Sequence, residues 1–193
     1  MARRALFIVI PLLVAGILGG IAGSAATGLV RVPRVSELET YSPDIITEIR
    51  ANDGSTIARY AIERRILISR ADIPAVVRNA VVATEDKNFY RHGGVDLVRT
   101  VSAVVSDVRR QRYAQGGSTL TQQLARRIFL SPRKTISRKI NEYFVSFEIE
   151  RRYSKEQILT MYANEIYLGH GNYGVEAAAR YYFGKGIKEL TLA

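Results

Sequence analysis

The chain has 193 residues, 28 of them basic and 18 acidic, giving a formal charge of +10, with no cysteine and two histidines. This length fits one ordinary domain plus an appendage, and the lack of cysteine excludes a disulfide framework, a thiolate metal site and a cysteine nucleophile. A hydrophobic share of 47% against 24% charged residues excludes wholesale disorder, two histidines argue against a histidine-rich metal centre, and the basic surplus points to a polyanionic partner.

Taken in chain order, the first feature is a run from Ala5 to Val30 without a charged side chain. About 20 apolar residues cross a bilayer core, so this run is long enough to span. Arg3 and Arg4 precede it, which by the positive-inside rule puts residues 1–4 in the cytoplasm. Small residues at Ala22, Gly23, Ser24 and Ala25 would suit a cleavage site, but the run exceeds the roughly 7–15 apolar residues of a removable leader. The expectation is an uncleaved single-pass anchor over 5–30, with everything after Val30 outside the cytoplasm. That placement argues against nucleic acid as the partner.

Residues 31–71 read as a linker carrying a hairpin. Ile46–Arg50 and Thr56–Tyr60 alternate around the turn Asn52-Asp53-Gly54, a strong hairpin signal. The run Ile66-Leu67-Ile68 suggests a third strand. From Asp72 onward the pattern is helical. Asp72 is placed as an N-cap with Pro74 in the first turn and a helix over Ala75–Thr84. Asp96 caps a second helix whose Leu97, Val101, Val104, Val105 and Val108 share one face. A third starts near Ser118, where Thr119 and Gln122 form a capping box, and is striped by Leu120, Leu124 and Ile128. A fourth spans 134–152 with Ile136, Ile140, Phe144 and Phe147 inward. Ser154 and Gln157 open a fifth through Asn164, and Val175–Phe183 forms a last helix stopped by Gly184. Residues 85–193 hold eighteen basic and eleven acidic side chains, so most of the positive excess lies there.

Four stretches could carry chemistry. Glu85-Asp86 stands where a helix yields to a turn, ahead of Phe89, His92 and Gly94; a carboxylate there is either a general base or a solvated helix end. Gly116-Gly117-Ser118-Thr119 leads into Gln122-Gln123, with Arg126 one turn on. It reads as a ligand-approach loop at a helix N-terminus or as a plainly capped helix. Arg138, Lys139 and Glu142 are a phosphate clamp or an intrahelical salt bridge. Lys155, Tyr162 and Asn164 brace a site or lie on the surface.

In this order the four stretches resemble the peptidoglycan glycosyltransferase domain of class A (bifunctional) penicillin-binding proteins and their monofunctional relatives. The matching residues are Glu85-Asp86-x-x-Phe89-x-x-His92-x-Gly94, Gly117-Ser118-Thr119-x-x-Gln122-Gln123, Arg138-Lys139-x-x-Glu142 and Lys155-x-x-Ile158-x-x-x-Tyr162-x-Asn164. A fifth stretch, Gly174 to Lys185, also fits. The resemblance covers 72–193 and implies a mainly α, lysozyme-like fold, behind a transmembrane helix and a short hairpin. It implies a smaller membrane-touching lobe between the first two motifs, holding Val101–Val108 and the basic run Arg109–Tyr113. Family domains continue beyond Leu190-Thr191-Leu192-Ala193, so the domain is expected to be C-terminally incomplete.

The resemblance further implies an inverting hexosyltransferase that polymerises lipid II into β-1,4 glycan with release of undecaprenyl diphosphate. Glu85 would be the base. Glu142 would act at the donor site, directly or through a divalent metal ion (Mg or Mn). Ser118, Thr119, Gln122 and Gln123 would contact substrate, and Arg126, Lys134, Arg138 and Lys139 the diphosphate. Asp86, Phe89, His92, Gly94, Gly117, Lys155, Tyr162 and Asn164 would support the site. The implied partners are lipid II, the growing glycan strand, membrane lipids and other cell-wall synthesis machinery at the bacterial inner membrane. Rival readings are an inactive fragment or interaction protein, and a glycan-cleaving lysozyme-like enzyme.

Overall fold

The computed structural model describes residues 47–60, 63–100, 102–103, 117–133 and 135–191, together with Gly19 and Gly23. The proposed anchor, Val101, Val104–Val108, the Arg109–Tyr113 run and Lys134 lie outside the described residues. No helix among the described residues is long and apolar enough to cross a membrane.

The chain is mainly helical. Strands β1 (Thr47–Arg50) and β2 (Thr56–Tyr60) pair antiparallel, with a register irregularity between Ile49 and Arg50. Gly54 takes φ +82° in the connecting turn, a conformation that costs glycine nothing. Asp53 closes that turn by accepting from the Ser55 backbone N–H at 2.9 Å and hydroxyl at 2.6 Å.

The third strand is not Ile66–Ile68. Strand β3 is Arg64–Arg65, and it runs parallel to β4 (Asn172–Tyr173). The backbone of Ile68 instead pairs with a side chain: Asn164 accepts from its N–H and donates to its carbonyl, both at 3.0 Å. Asp72 also departs from expectation. It closes a 3-10 turn over Arg70–Asp72, where its carboxylate accepts from Ser69 N–H at 2.8 Å. Helix α1 (Ala75–Glu85) starts behind Pro74 with no side-chain cap. Proline supplies the extended backbone that a helix entry needs.

Helix α2 (Leu120–Phe129) opens with the expected box: Thr119 Oγ1 accepts from Gln122 N–H at 3.1 Å, and Gln122 Oε1 accepts from Thr119 N–H at 2.9 Å. Helix α3 (Ile136–Arg152) is capped by Thr135, and α4 (Lys155–Glu165) by a second box of Ser154 and Gln157. Helix α5 (Val175–Phe183) stops at Gly184, in the left-handed region at φ +65°.

The core forms where α2, α3 and α4 meet. Leu120, Leu124, Ala125, Val145, Ile149, Ile158, Leu159 and Tyr162 surround Phe89, with Val81 and Val82 of α1 packed against them. Each large side chain buried there contributes on the order of 1.5–3 kcal/mol. Helix α3 presents a different face from the one its apolar pattern suggests. Ile136 is 82% exposed and Phe147 51% exposed, while Glu142, Val145, Ser146 and Ile149 are buried. These four positions follow i, i+3, i+4, i+7, so the helix is turned to place a carboxylate and a hydroxyl inward.

Candidate active site

Glu85 is the last residue of α1, and Asp86 caps the helix by donating its N–H to Val82 O at 3.0 Å. The chain then turns sharply through Phe89, which is wholly buried and anchors the turn in the core. Asp86 is equally buried and acts as an internal fastener. Its Oδ2 accepts from the Leu120 N–H at 3.0 Å and from His92 Nε2 at 2.9 Å. His92 Nδ1 accepts from Gly94 N–H at 3.2 Å, which leaves Nε2 to donate to Asp86. Asp86 and His92 thus hold the first motif against the start of α2.

Gly94 shows why this turn tolerates no side chain. Its φ is +97°, and a Cβ there would lie 2.9 Å from the Ser146 carbonyl oxygen on α3. Its own carbonyl accepts from Thr119 Oγ1 at 2.6 Å. Lys155 completes the bracket from α4, donating to His92 O at 2.6 Å and Glu150 Oε1 at 2.7 Å, with its ammonium 4.6 Å from the Phe89 ring centroid. A Cβ on Gly117 would lie 3.4 Å from the Ala103 Cβ, so the loop before α2 also passes close to the helical residues 102–103.

The carboxylate of Glu85 is held from α2. Gln123 Nε2 donates to Glu85 Oε2 at 3.0 Å, and Gln123 Oε1 accepts from the Tyr162 hydroxyl at 3.4 Å. Burial pushes the Tyr162 phenol well above its ordinary value; the Glu85 charge adds to this and Arg126 offsets it. Tyr162 is therefore a hydrogen-bond donor at any ordinary pH. On the backbone side, Arg99 Nη1 donates to Glu85 O at 2.6 Å.

A second carboxylate stands on α3. Glu142 is fully buried, and Arg138 Nη1 donates to its Oε2 at 2.9 Å. Lys139 Nζ donates to its Oε1, and to Ser118 Oγ at 3.0 Å. The third motif is thereby joined to the second. Nearby, burial raises the Tyr143 phenol, with a further push from the Glu142 charge and an opposing effect of the Gln122 amide.

A cleft of about 600 Å³ opens between α2 and α4. Gln123, Arg126, Arg138 and Tyr162 line one part of it, and Leu130, Pro132, Ile166 and Tyr167 another. It offers cations beside an apolar wall. Arg126 is exposed in this cleft. Thr119 and Gln122 are fully buried and engaged in the cap, so among the expected substrate contacts it is Ser118, Gln123, Arg126, Arg138 and Lys139 that keep some access. Gly117, Tyr162 and Asn164 stand within or beside the helix framework that carries them.

Glu142, the carboxylate expected at a divalent metal, is already engaged by side chains. Among the described residues no group of three or more His, Asp and Glu side chains could hold an ion. Both oxygens of Glu142 already face cations.

A family model described as Transglycosylase matches residues 53–193. The chain belongs to the transglycosylase family. Its relatives include Penicillin-binding protein 1A of Aquifex aeolicus (strain VF5), 45% identical over 161 residues, which is 83% of this chain and 22% of that protein. Penicillin-binding protein 1A of Neisseria gonorrhoeae is 43% identical over 163 residues, 84% of this chain and 20% of the relative. The protein of that name from Rickettsia felis is 41% identical over 165 residues, 84% of this chain and 21% of the relative. The chain thus spans about a fifth of the length of the curated relatives it matches.

Within this transglycosylase scaffold, two features escaped sequence reasoning. One is Arg99, which falls between motifs in a stretch read only for its apolar face. The other is the far side of the cleft, where Arg127 pairs with Glu63 at 2.6 Å and covers the Tyr173 ring at 4.4 Å. Neither has a local signal, because each depends on contacts between distant segments.

Proposed function

We propose that this chain is the glycosyltransferase part of a membrane-anchored enzyme that polymerises lipid II into β-1,4 glycan strands in cell-wall synthesis. The observation that carries the reading is a carboxylate, Glu85, oriented by Gln123 next to a cleft bearing Arg126 and Arg138. A sugar hydroxyl is a poor nucleophile, and a positioned carboxylate makes it a better one by taking its proton. A departing diphosphate gains charge, and fixed cations stabilise that charge best where they need not reorganise.

In this reading Glu85 takes the proton from the 4-hydroxyl of the acceptor sugar. That oxygen forms a new bond to the anomeric carbon of the donor chain. The bond from that carbon to the lipid diphosphate breaks, and the diphosphate leaves with the bonding electrons. Inversion converts an α-linked donor into a β-linked glycan. Arg126, Lys134, Arg138 and Lys139 take the diphosphate, and Glu142 sets the directions of Arg138 and Lys139. Ser118 and Gln123 contact substrate next to the base. Asp86, Phe89, His92, Gly94, Gly117, Thr119, Gln122, Lys155, Tyr162 and Asn164 support the arrangement.

The fold is read as lysozyme-like, with residues 5–30 as a single membrane span, the N-terminus in the cytoplasm and the domain outside. Leu97 and Val98, 59% and 78% exposed at the start of the segment between the first two motifs, support a lobe that meets lipid. The test is incubation of the purified chain with lipid II and, separately, with finished glycan. Polymer from lipid II together with intact finished glycan supports the reading. Cleavage of finished glycan without polymer formation sinks it.

A further inference from the structure

Resting on the reading of Glu85 as the base, we infer that Arg99 is a positioning residue that fixes the Glu85–Asp86 corner from the segment between the first two motifs. Three observations converge. The Arg99 guanidinium donates to the backbone carbonyl of Glu85 at 2.6 Å. The same nitrogen lies 3.7 Å from Asp86 Oδ1. That oxygen is fully buried and accepts no hydrogen bond, so the guanidinium is the charge that offsets it.

Arg99 is itself fixed. Its backbone N–H donates to Asp96 Oδ1 at 2.9 Å, and Asp96 Oδ2 accepts from Asn88 Nδ2 at 2.8 Å. Asn88 lies in the turn that follows Glu85. The start of the helical stretch at residues 97–100 is therefore tied both to Glu85 and to the turn that follows it, and Arg99 supplies the tie nearest the base. The Glu85 side chain is gripped from α2 by Gln123, while its main chain is gripped by Arg99. A carboxylate that must meet one hydroxyl within hydrogen-bond reach needs both, since a displacement of about 1 Å can cost on the order of a hundredfold in rate. A single Arg99 nitrogen serves both groups, so a lysine ammonium in the same place would satisfy them only in part.

The test uses the full chain in detergent with lipid II and compares wild type, Arg99→Ala, Arg99→Lys, Glu85→Gln and, as an exposed-arginine control, Arg151→Ala. Arg99→Ala is expected to lower kcat by about 10- to 100-fold, with KM within about twofold. Arg99→Lys should recover part of that loss, and Arg151→Ala should match wild type. Amide hydrogen exchange read at residues 85–89 should quicken at least tenfold in Arg99→Ala, whatever the activity. An unchanged kcat with unchanged exchange overturns the inference. A raised KM at constant kcat also overturns it, by making Arg99 a substrate contact. Wild-type turnover by Glu85→Gln defeats the base reading instead, and the exchange measurement then decides alone whether Arg99 holds the corner.

Discussion

Gln123 and Glu85 meet at 3.0 Å, amide to carboxylate, across the gap between the second and first motifs. The amide nitrogen donates to one of the two carboxylate oxygens, Oε2. Glu85→Gln removes the proton acceptor while keeping volume and shape. Lipid II polymerisation should fall by about a hundredfold or more, and the thermal unfolding midpoint should stay within roughly two degrees. Parallel polymerisation and melting measurements check both halves.

Tyr162 divides its work between packing and orientation. It is 2% exposed in the core, and its hydroxyl reaches Gln123 at 3.4 Å. Tyr162→Phe keeps the ring and should leave stability nearly unchanged while lowering kcat a few-fold. Tyr162→Ala also opens a cavity and should cost about 3–5 kcal/mol of unfolding free energy. Urea unfolding of the two variants separates these contributions.

Glu142 and its two cations should respond unequally. Arg138→Ala leaves Glu142 paired with Lys139, so it should weaken lipid II binding roughly tenfold, the size of one lost charge-assisted hydrogen bond, with modest loss of stability. Glu142→Ala leaves two cations without their carboxylate and should cost more stability, on the order of 3 kcal/mol. Titration with lipid II and thermal unfolding rank the two variants. Equal affinity in wild type and Arg138→Ala would remove Arg138 from the clamp.

Gly94→Ala tests the tight passage beside α3. The new methyl would meet a backbone oxygen at 2.9 Å and force an alanine to φ +97°. A loss of about 2–3 kcal/mol is expected, visible as a lowered midpoint in denaturant.

Asp96 gives a pH-dependent test. The Arg99 backbone N–H, and to a lesser degree the Asn88 amide, hold its carboxyl below the usual carboxylate range, against the opposing effect of burial. A depressed native value means that the unfolded chain binds the proton first. The contribution of Asp96 is therefore complete above about pH 4 and is lost as pH falls through the native value. The stability gap between wild type and Asp96→Asn should be full at pH 7 and close on acidification, as followed by thermal unfolding over pH 2–7.

Both capping boxes, at Thr119 and Ser154, could be read from sequence because each rests on residues three positions apart. So could the hairpin turn at Gly54 and the stop at Gly184. The inward face of α3 could not. Its apolar residues suggest one face, but Arg138 and Lys139 neutralise Glu142 and let the helix turn that carboxylate inward. The edge at Arg64–Arg65 was equally hidden, since its partner is more than a hundred residues away. At the site, the motifs named the residues that converge around Glu85 and Glu142. They did not reveal that the Thr119 hydroxyl and the Gln122 side-chain oxygen are taken up by the cap, nor that Arg99 reaches the Glu85 carbonyl.

The pairing of β3 with β4 has a consequence for how the molecule comes together. Arg64 meets Asn172, and Arg65 bonds to Glu165 at 3.1 Å, contacts that close loops of about a hundred residues. Such closures are entropically unfavourable until the intervening helices have formed, and long-range contacts slow folding. During synthesis the β3 edge must therefore wait, unpaired, until the segment after α4 has emerged. The hairpin can form at once from its own residues, so the β1–β2 and β3–β4 pairings are made at opposite ends of the folding time course.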